Sequence, residues 1–152
     1  MAMEHKESFT VIGLSVRTTN ENGQSGTDIP VLWARFFGEG TIDKIPGKTG
    51  TDLYCIYTDY EKDHTKPYTT VLGCCVKSGT PVPEGMTAKQ IAAGAYEHIA
   101  VTGNLKEGIV FKKWQHIWNS DLPRNFCADF EIYGAGAANQ EAAEVEIWVG
   151  IH

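Results

Sequence analysis

Cys127-Ala128-Asp129-Phe130-Glu131-Ile132-Tyr133 is the stretch from which the rest of the chain can be ordered. Its aromatic and β-branched content reads as a strand. Alternation sends Phe130 and Ile132 to one face and Asp129, Glu131 and Tyr133 to the other. The final segment, 144–151, alternates in the same way: Val145, Ile147, Val149 and Ile151 form an apolar face, with Glu146 and Trp148 opposite. Set side by side, the two strands are expected to gather carboxylates and large aromatics on one surface. Such a surface suits an organic cation, because aromatic faces are negative and the acid adds a full charge.

Working outward, 9–18 reads as a strand, and Asp28-Ile29-Pro30 opens a helix with Asp28 as its N-cap. That helix carries Leu32, Trp33, Phe36 and Phe37, and a Gly- and Thr-rich loop, 39–51, follows it. Strands 53–60 and 68–76 are joined by a polar turn, and 78–85, with its prolines and glycines, is the midpoint linker. The second half runs through the same order. Strand 89–101 leads to a helix, 108–119, with Val110, Phe111, Trp114, Ile117 and Trp118 at helical spacing. Strands 128–133 and 144–151 close the chain around a Gly/Ala-rich loop, 134–143.

One offset sets Tyr54 on Phe130, Ile56 on Ile132, Tyr57 on Tyr133 and Tyr68 on Glu144; Trp33 matches Trp118 at a larger one. The pattern predicts an α+β fold built from a duplicated β-α-β-β module, with antiparallel sheets, one helix per module and a central cleft. A single domain over 1–152 is expected, with pseudo-repeats near 9–77 and 86–152. Each helix should cover the apolar face of its own strands, leaving the other faces to meet across the cleft. Cys55 takes the place of Glu131 in the first half, so the cleft would have one charged side.

The chain has 152 residues, 42% hydrophobic and 11% aromatic, which is the composition of a globular protein. A net charge of −6 and the lack of a basic patch exclude direct nucleic-acid binding. No run approaches the roughly 20 apolar residues of a membrane span, and residues 1–6 lack a signal-peptide core. The expectation is a cytoplasmic protein with no membrane partner. Cys55, Cys74, Cys75 and Cys127 form no CxxC pair and read as free thiols. Asp59, Glu61, Asp63 and His64 crowd one turn without the glycine of a calcium loop, which reads as a solvated hairpin. His98 and His116 stand alone, and no GxGxxG or P-loop occurs. No metal and no cofactor are expected, and no catalytic residue is assigned.

Several motifs in order resemble the GyrI-like small-molecule-binding domains. They are Phe9-Thr10-Val11-Ile12-Gly13-Leu14, Ile29-Pro30-Val31-Leu32-Trp33, Tyr57-Thr58-Asp59-Tyr60, Ala93-Gly94-Ala95-Tyr96, Trp114-Gln115-His116-Ile117-Trp118, Leu122-Pro123 and Asp129-Phe130-Glu131-Ile132-Tyr133. Such domains form the effector-binding part of AraC-type and MerR-type regulators and also stand alone, some on integron cassettes. The resemblance covers about 9–151 and implies the duplicated, SHS2-type module. It implies binding of lipophilic, often cationic, small molecules for sensing or sequestration, with Glu131 in the cleft. Tyr57, Tyr133 and Trp148 are then its expected walls, Tyr96 a further contact, and Trp33 and Trp118 caps at its two ends. A ligand-binding domain is favoured over an enzyme. The alternatives are a hydrolase of electrophilic toxins using Glu131 and a gyrase-inhibitor-like protein-binding module. A separate transcription-related protein or a second copy of the chain are the macromolecular partners this resemblance leaves open.

Overall fold

Two residues, 92 and 93, connect opposite ends of the protein's sheet, and that short link dictates its shape. The structure is a computed structural model describing residues 2–137 and 139–152, so the expected loop 134–143 is described except at Ala138. Its strands are β1 (Ala2–Lys6), β2 (Phe9–Thr18), β3 (Leu53–Thr58), β4 (Tyr68–Val76), β5 (Thr87–Ile91), β6 (Gly94–Gly103), β7 (Arg124–Tyr133) and β8 (Ala143–Ile151). Helices α1 (Ser25–Gly38), α2 (Thr41–Lys44) and α3 (Ile109–Trp118) lie between them. The strands form one eight-stranded antiparallel sheet in the order β1-β6-β8-β7-β3-β4-β2-β5. β5 ends the order and β6 lies second from the other end, yet only three peptide steps of about 3.8 Å separate Ile91 from Gly94. The sheet therefore has to curl until its ends meet.

The inside of the curl is filled by the sheet's own side chains. Val11, Ile56, Val71, Ile91, Tyr96, Phe130, Ile132 and Trp148 form one buried cluster, with Phe9 and Tyr54 against it. The two long helices, α1 and α3, lie on the outer face. Leu32 and Phe36 of α1 pack with Ile12, Leu14, Leu72 and Cys74, while Trp114 and Ile117 of α3 pack with Ile99, Ile147 and Val149. This corrects one expectation. The faces away from the helices do meet, but as a core of aromatic and aliphatic side chains with a cavity at its Ile91–Tyr96 end, and Glu131 lies on the helix-covered side.

The duplication is visible in the pairing. At the centre, β3 lies against β7 with Cys55 opposite Glu131, Tyr54 opposite Ile132 and Ile56 opposite Phe130. The sequence offset equates Cys55 with Glu131 and interchanges the two flanking pairs, Tyr54 with Phe130 and Ile56 with Ile132, so a pseudo-two-fold axis passes through the Cys55–Glu131 pair. β1 and β5, which precede β2 and β6, are exchanged: β1 pairs with β6 and β5 with β2. The expected single strand 89–101 is thus two strands, β5 at one edge of the sheet and β6 next to the other. α1 also begins a turn earlier than expected, because Thr18 Oγ1 and Gln24 Nε2 donate to Asp28 Oδ2 and hold a polar first turn that reads as loop. No helix of the described residues is long and apolar enough to cross a membrane.

Gly13 and Gly73 face each other across β2 and β4, where the backbones nearly touch. A Cβ on Gly13 would lie 1.9 Å from the Leu72 carbonyl oxygen, an atom that cannot swing away. Gly13→Ala is expected to lower stability by about 2 kcal/mol, since overpacking has to shift backbone. Urea unfolding checks this, and an unchanged midpoint would contradict the close approach.

Candidate functional site

Glu131 sits between the two helices, at the centre of the outer face, and is 2% exposed. Its carboxylate receives three hydrogen bonds: Tyr57 Oη and Trp114 Nε1 donate to Oε2, each at 2.7 Å, and Tyr133 Oη donates to Oε1 at 2.5 Å. Tyr57 and Tyr133 occupy matching places in the two halves, so the duplication brings two phenols to one acid. Trp114 comes down from α3 and makes an edge contact with Tyr57, ring centres 5.5 Å apart. No Lys, Arg or His of the described residues forms an ion pair with Glu131.

Burial raises the Glu131 carboxyl above its ordinary 4.5, against the pull of Tyr133, Tyr57 and Trp114, whose donated bonds favour the anion. Burial likewise holds the phenols of Tyr57 and Tyr133 well above their ordinary 10.0, so both remain donors. Cys55, beside the acid, has its thiol pushed up by burial first and by the Glu131 charge second. The centre is thus an acid desolvated among neutral donors, in a setting where an unpaired charge is costly.

Two grooves flank this centre. One is lined by Ile29, Tyr57, Tyr68, Phe111, Trp114 and Trp118 among others, and encloses about 70 Å³. The other lies beside Tyr133 and Trp33, with Phe37, Leu53, Leu105 and Lys106, and encloses about 410 Å³. Trp118 stacks on His64 at the first, with centres 5.3 Å apart, and Trp33 meets the edge of Tyr133 at the second, 4.9 Å away. The two helix tryptophans therefore stand on opposite sides of Glu131.

Trp148 and Tyr96 are elsewhere. Both belong to the interior cluster with Phe130, where Trp148 also stacks on His98 at 4.0 Å and carries Lys6 Nζ 4.4 Å above its ring. The cause is a slip of one residue. Carried into the last hairpin, the offset that equates Cys55 with Glu131 would set Glu131 opposite Trp148, since Cys55 faces Leu72 in the first. Glu131 in fact faces Ile147. A shift of one residue moves every side chain of a strand to the other face, so the expected shared surface of Glu131 and Trp148 does not form.

Sequence reasoning passed over Trp114, which its spacing assigns to the helix core, and it passed over Tyr68, Arg124 and Asp129 as site residues. Asp129 is fully buried and binds Arg124 Nη2 at 2.8 Å, Tyr60 Oη at 2.5 Å and the Gly150 backbone N–H at 2.8 Å. A bulge in β7 between Arg124 and Asp129 breaks the alternation that would have flagged this pair.

The profile of the Cass2 family, described as integron-associated effector binding protein, matches residues 2–151. The Bacillus subtilis (strain 168) protein YobU, whose name marks it provisionally as a transcriptional regulator, is 28% identical over 151 residues, covering 97% of this chain and 94% of its own. Among solved structures, an integron cassette protein of Vibrio cholerae superposes with a TM-score of 0.73 at 24% identity, over 99% of this chain and 95% of that one. SAV2435, in a structure with bound tetraphenylphosphonium, superposes with a TM-score of 0.81 at 17% identity, over 99% of this chain and 93% of its own.

Proposed function

The chain belongs to the Cass2 family of integron-associated effector-binding proteins, and from that premise we propose that it binds lipophilic, positively charged small molecules between α1 and α3, for sensing or sequestration. The observation that carries this reading is Glu131, a carboxylate shut away from water among two phenols and an indole, with no cation beside it in the described residues. A ligand cation supplies the missing counter-charge, and the surrounding rings present their negative faces to it. Tyr57, Tyr133, Trp114 and Trp118 form the walls in this reading, and Trp33 stands at the far groove.

A drug-sized ligand needs roughly 300–1,000 Å³, more than the 70 Å³ the first groove holds. Binding on the Trp114 side of Glu131 therefore has to move an aromatic side chain, whereas the groove beside Tyr133 and Trp33 is already of ligand size. Displacing Trp114 opens space and removes one of the two donors to Glu131 Oε2, so the ligand's charge takes the place of the indole N–H while Tyr57 stays bonded.

The test is calorimetric titration of wild type and Glu131→Gln with tetraphenylphosphonium and with neutral triphenylphosphine oxide. The substitution is expected to weaken the cation about tenfold or more, the scale of one hydrogen bond to a buried charge, and the neutral compound by less than about threefold. Equal losses for both would remove charge pairing from the mechanism. If the wild type bound neither compound, the cation reading itself would fall.

A further inference from the structure

Arg124 lines the same groove as Tyr57 and Trp114, and its side chain is 5% exposed. Only Nη2 is engaged, donating to Asp129; Nε and Nη1 are shut off from solvent and have no partner among the described residues. Guanidinium cannot shed its proton, so these are unmet donors by necessity. Asp129 does not serve them: of the guanidinium nitrogens it receives Nη2 alone, beside Tyr60 and the Gly150 backbone N–H.

The guanidinium is held in place from below. Its carbon lies 4.3 Å over the Phe126 ring, and Phe126 sits at φ 54° in the β7 bulge, a conformation that bulky side chains rarely adopt. It also lies 5.8 Å from the ring of Trp114. The Trp114 indole is thus a bridge: its N–H reaches Glu131 and its ring reaches Arg124. A ligand that displaces the indole meets an acid on one side and unmet donors on the other.

We propose that the cleft is bipolar and selects aromatic zwitterions, placing the cationic centre at Glu131 and a carboxylate at Arg124, over lipophilic cations that lack an acid. This rests on the cation reading above and adds the ligand's second group. A carboxylate on two free guanidinium nitrogens makes a charge-assisted contact at atoms shielded from solvent, where the bond is strong and the alternative is an unmet donor.

The test uses two probes with one cationic head: carboxypropyl triphenylphosphonium, and butyl triphenylphosphonium, in which a methyl replaces the acid. Calorimetry of the wild-type protein at neutral pH is expected to show the acid-bearing probe binding about tenfold tighter or more. Arg124→Lys keeps a charge for Asp129 but not the spare guanidinium donors, and is expected to bring the ratio of affinities close to one. Should that variant fail to fold, Arg124→Gln combined with Asp129→Asn removes both charges and reads out the same ratio. Equal affinities in the wild type overturn the proposal while leaving the cation pocket standing. A preference that survives in the Arg124 variants also overturns it, since the acid is then received elsewhere. Binding of neither probe removes both readings.

Discussion

At pH 8 the Glu131→Gln protein is expected to unfold at a higher temperature than the wild type, and the gap is expected to close on acidification. Burial raises the Glu131 carboxyl above 4.5 in the folded state. An exposed carboxyl in the unfolded chain titrates near 4.3. Between the unfolded value and the raised folded one the folded protein holds a proton that the unfolded chain has lost, so Glu131's contribution to stability falls as pH rises through that window and is constant above it. Below the window the acid is neutral in both states, and glutamate and glutamine are nearly equivalent. The glutamine amide oxygen can accept from Tyr57 and Trp114, but its NH2 cannot accept the Tyr133 hydroxyl, which has to turn and receive an N–H instead of donating, a cost that offsets part of the gain from removing a buried charge. The gain at pH 8 is expected as a measurable rise in melting temperature that vanishes at acid pH. Melting curves of both proteins across the acid range decide it. Parallel profiles would mean that the three donors fully offset burial and that Glu131 ionises like a surface acid.

The same substitution is thus expected to stabilise the free protein and to weaken its hold on a cation. That pairing of effects is the signature of a group kept for binding rather than for folding. A structural acid at this place would show the opposite, because its removal would loosen the tyrosines that converge on it.

How far this arrangement can be read from sequence depends on which physical feature carries it. The equivalence of Cys55 and Glu131 was legible, because both strands alternate cleanly, and it reappears as the central pair of the β3–β7 ladder. The convergence of Tyr57 and Tyr133 on one acid follows from it. The last hairpin was not legible. Its register depends on how Ile147 and Val149 pack beneath Trp114 and Ile117, and the loop before β8 carries no signal that distinguishes one register from the next. That single step sends Trp148 inside the curl. β1 was missed because Ala2–Lys6 is short and polar and gains its place only by pairing with β6. Arg124 was missed because a bulge, not alternation, directs it into the groove.

Asp129→Ala is expected to be the most damaging single change on the helix-covered face. It leaves the Arg124 guanidinium buried without a counter-charge, and it strips a partner from Tyr60 and from the Gly150 backbone N–H. Breaking a buried pair from one side costs about 3–5 kcal/mol, enough to lower the melting temperature by about 10 °C in a chain of this length. The cost comes from the stranded cation more than from the lost attraction, which gives the prediction an internal check. Arg124→Met removes that cation, so combining it with Asp129→Ala should restore part of the stability, and the double variant should lose less than the two single changes added together. Urea unfolding of the four proteins of this cycle measures the coupling directly. Additive losses would mean that Arg124 and Asp129 act independently. The guanidinium would then be held in the groove by Phe126 and Trp114 alone, and Asp129 would owe its burial to Tyr60 and Gly150.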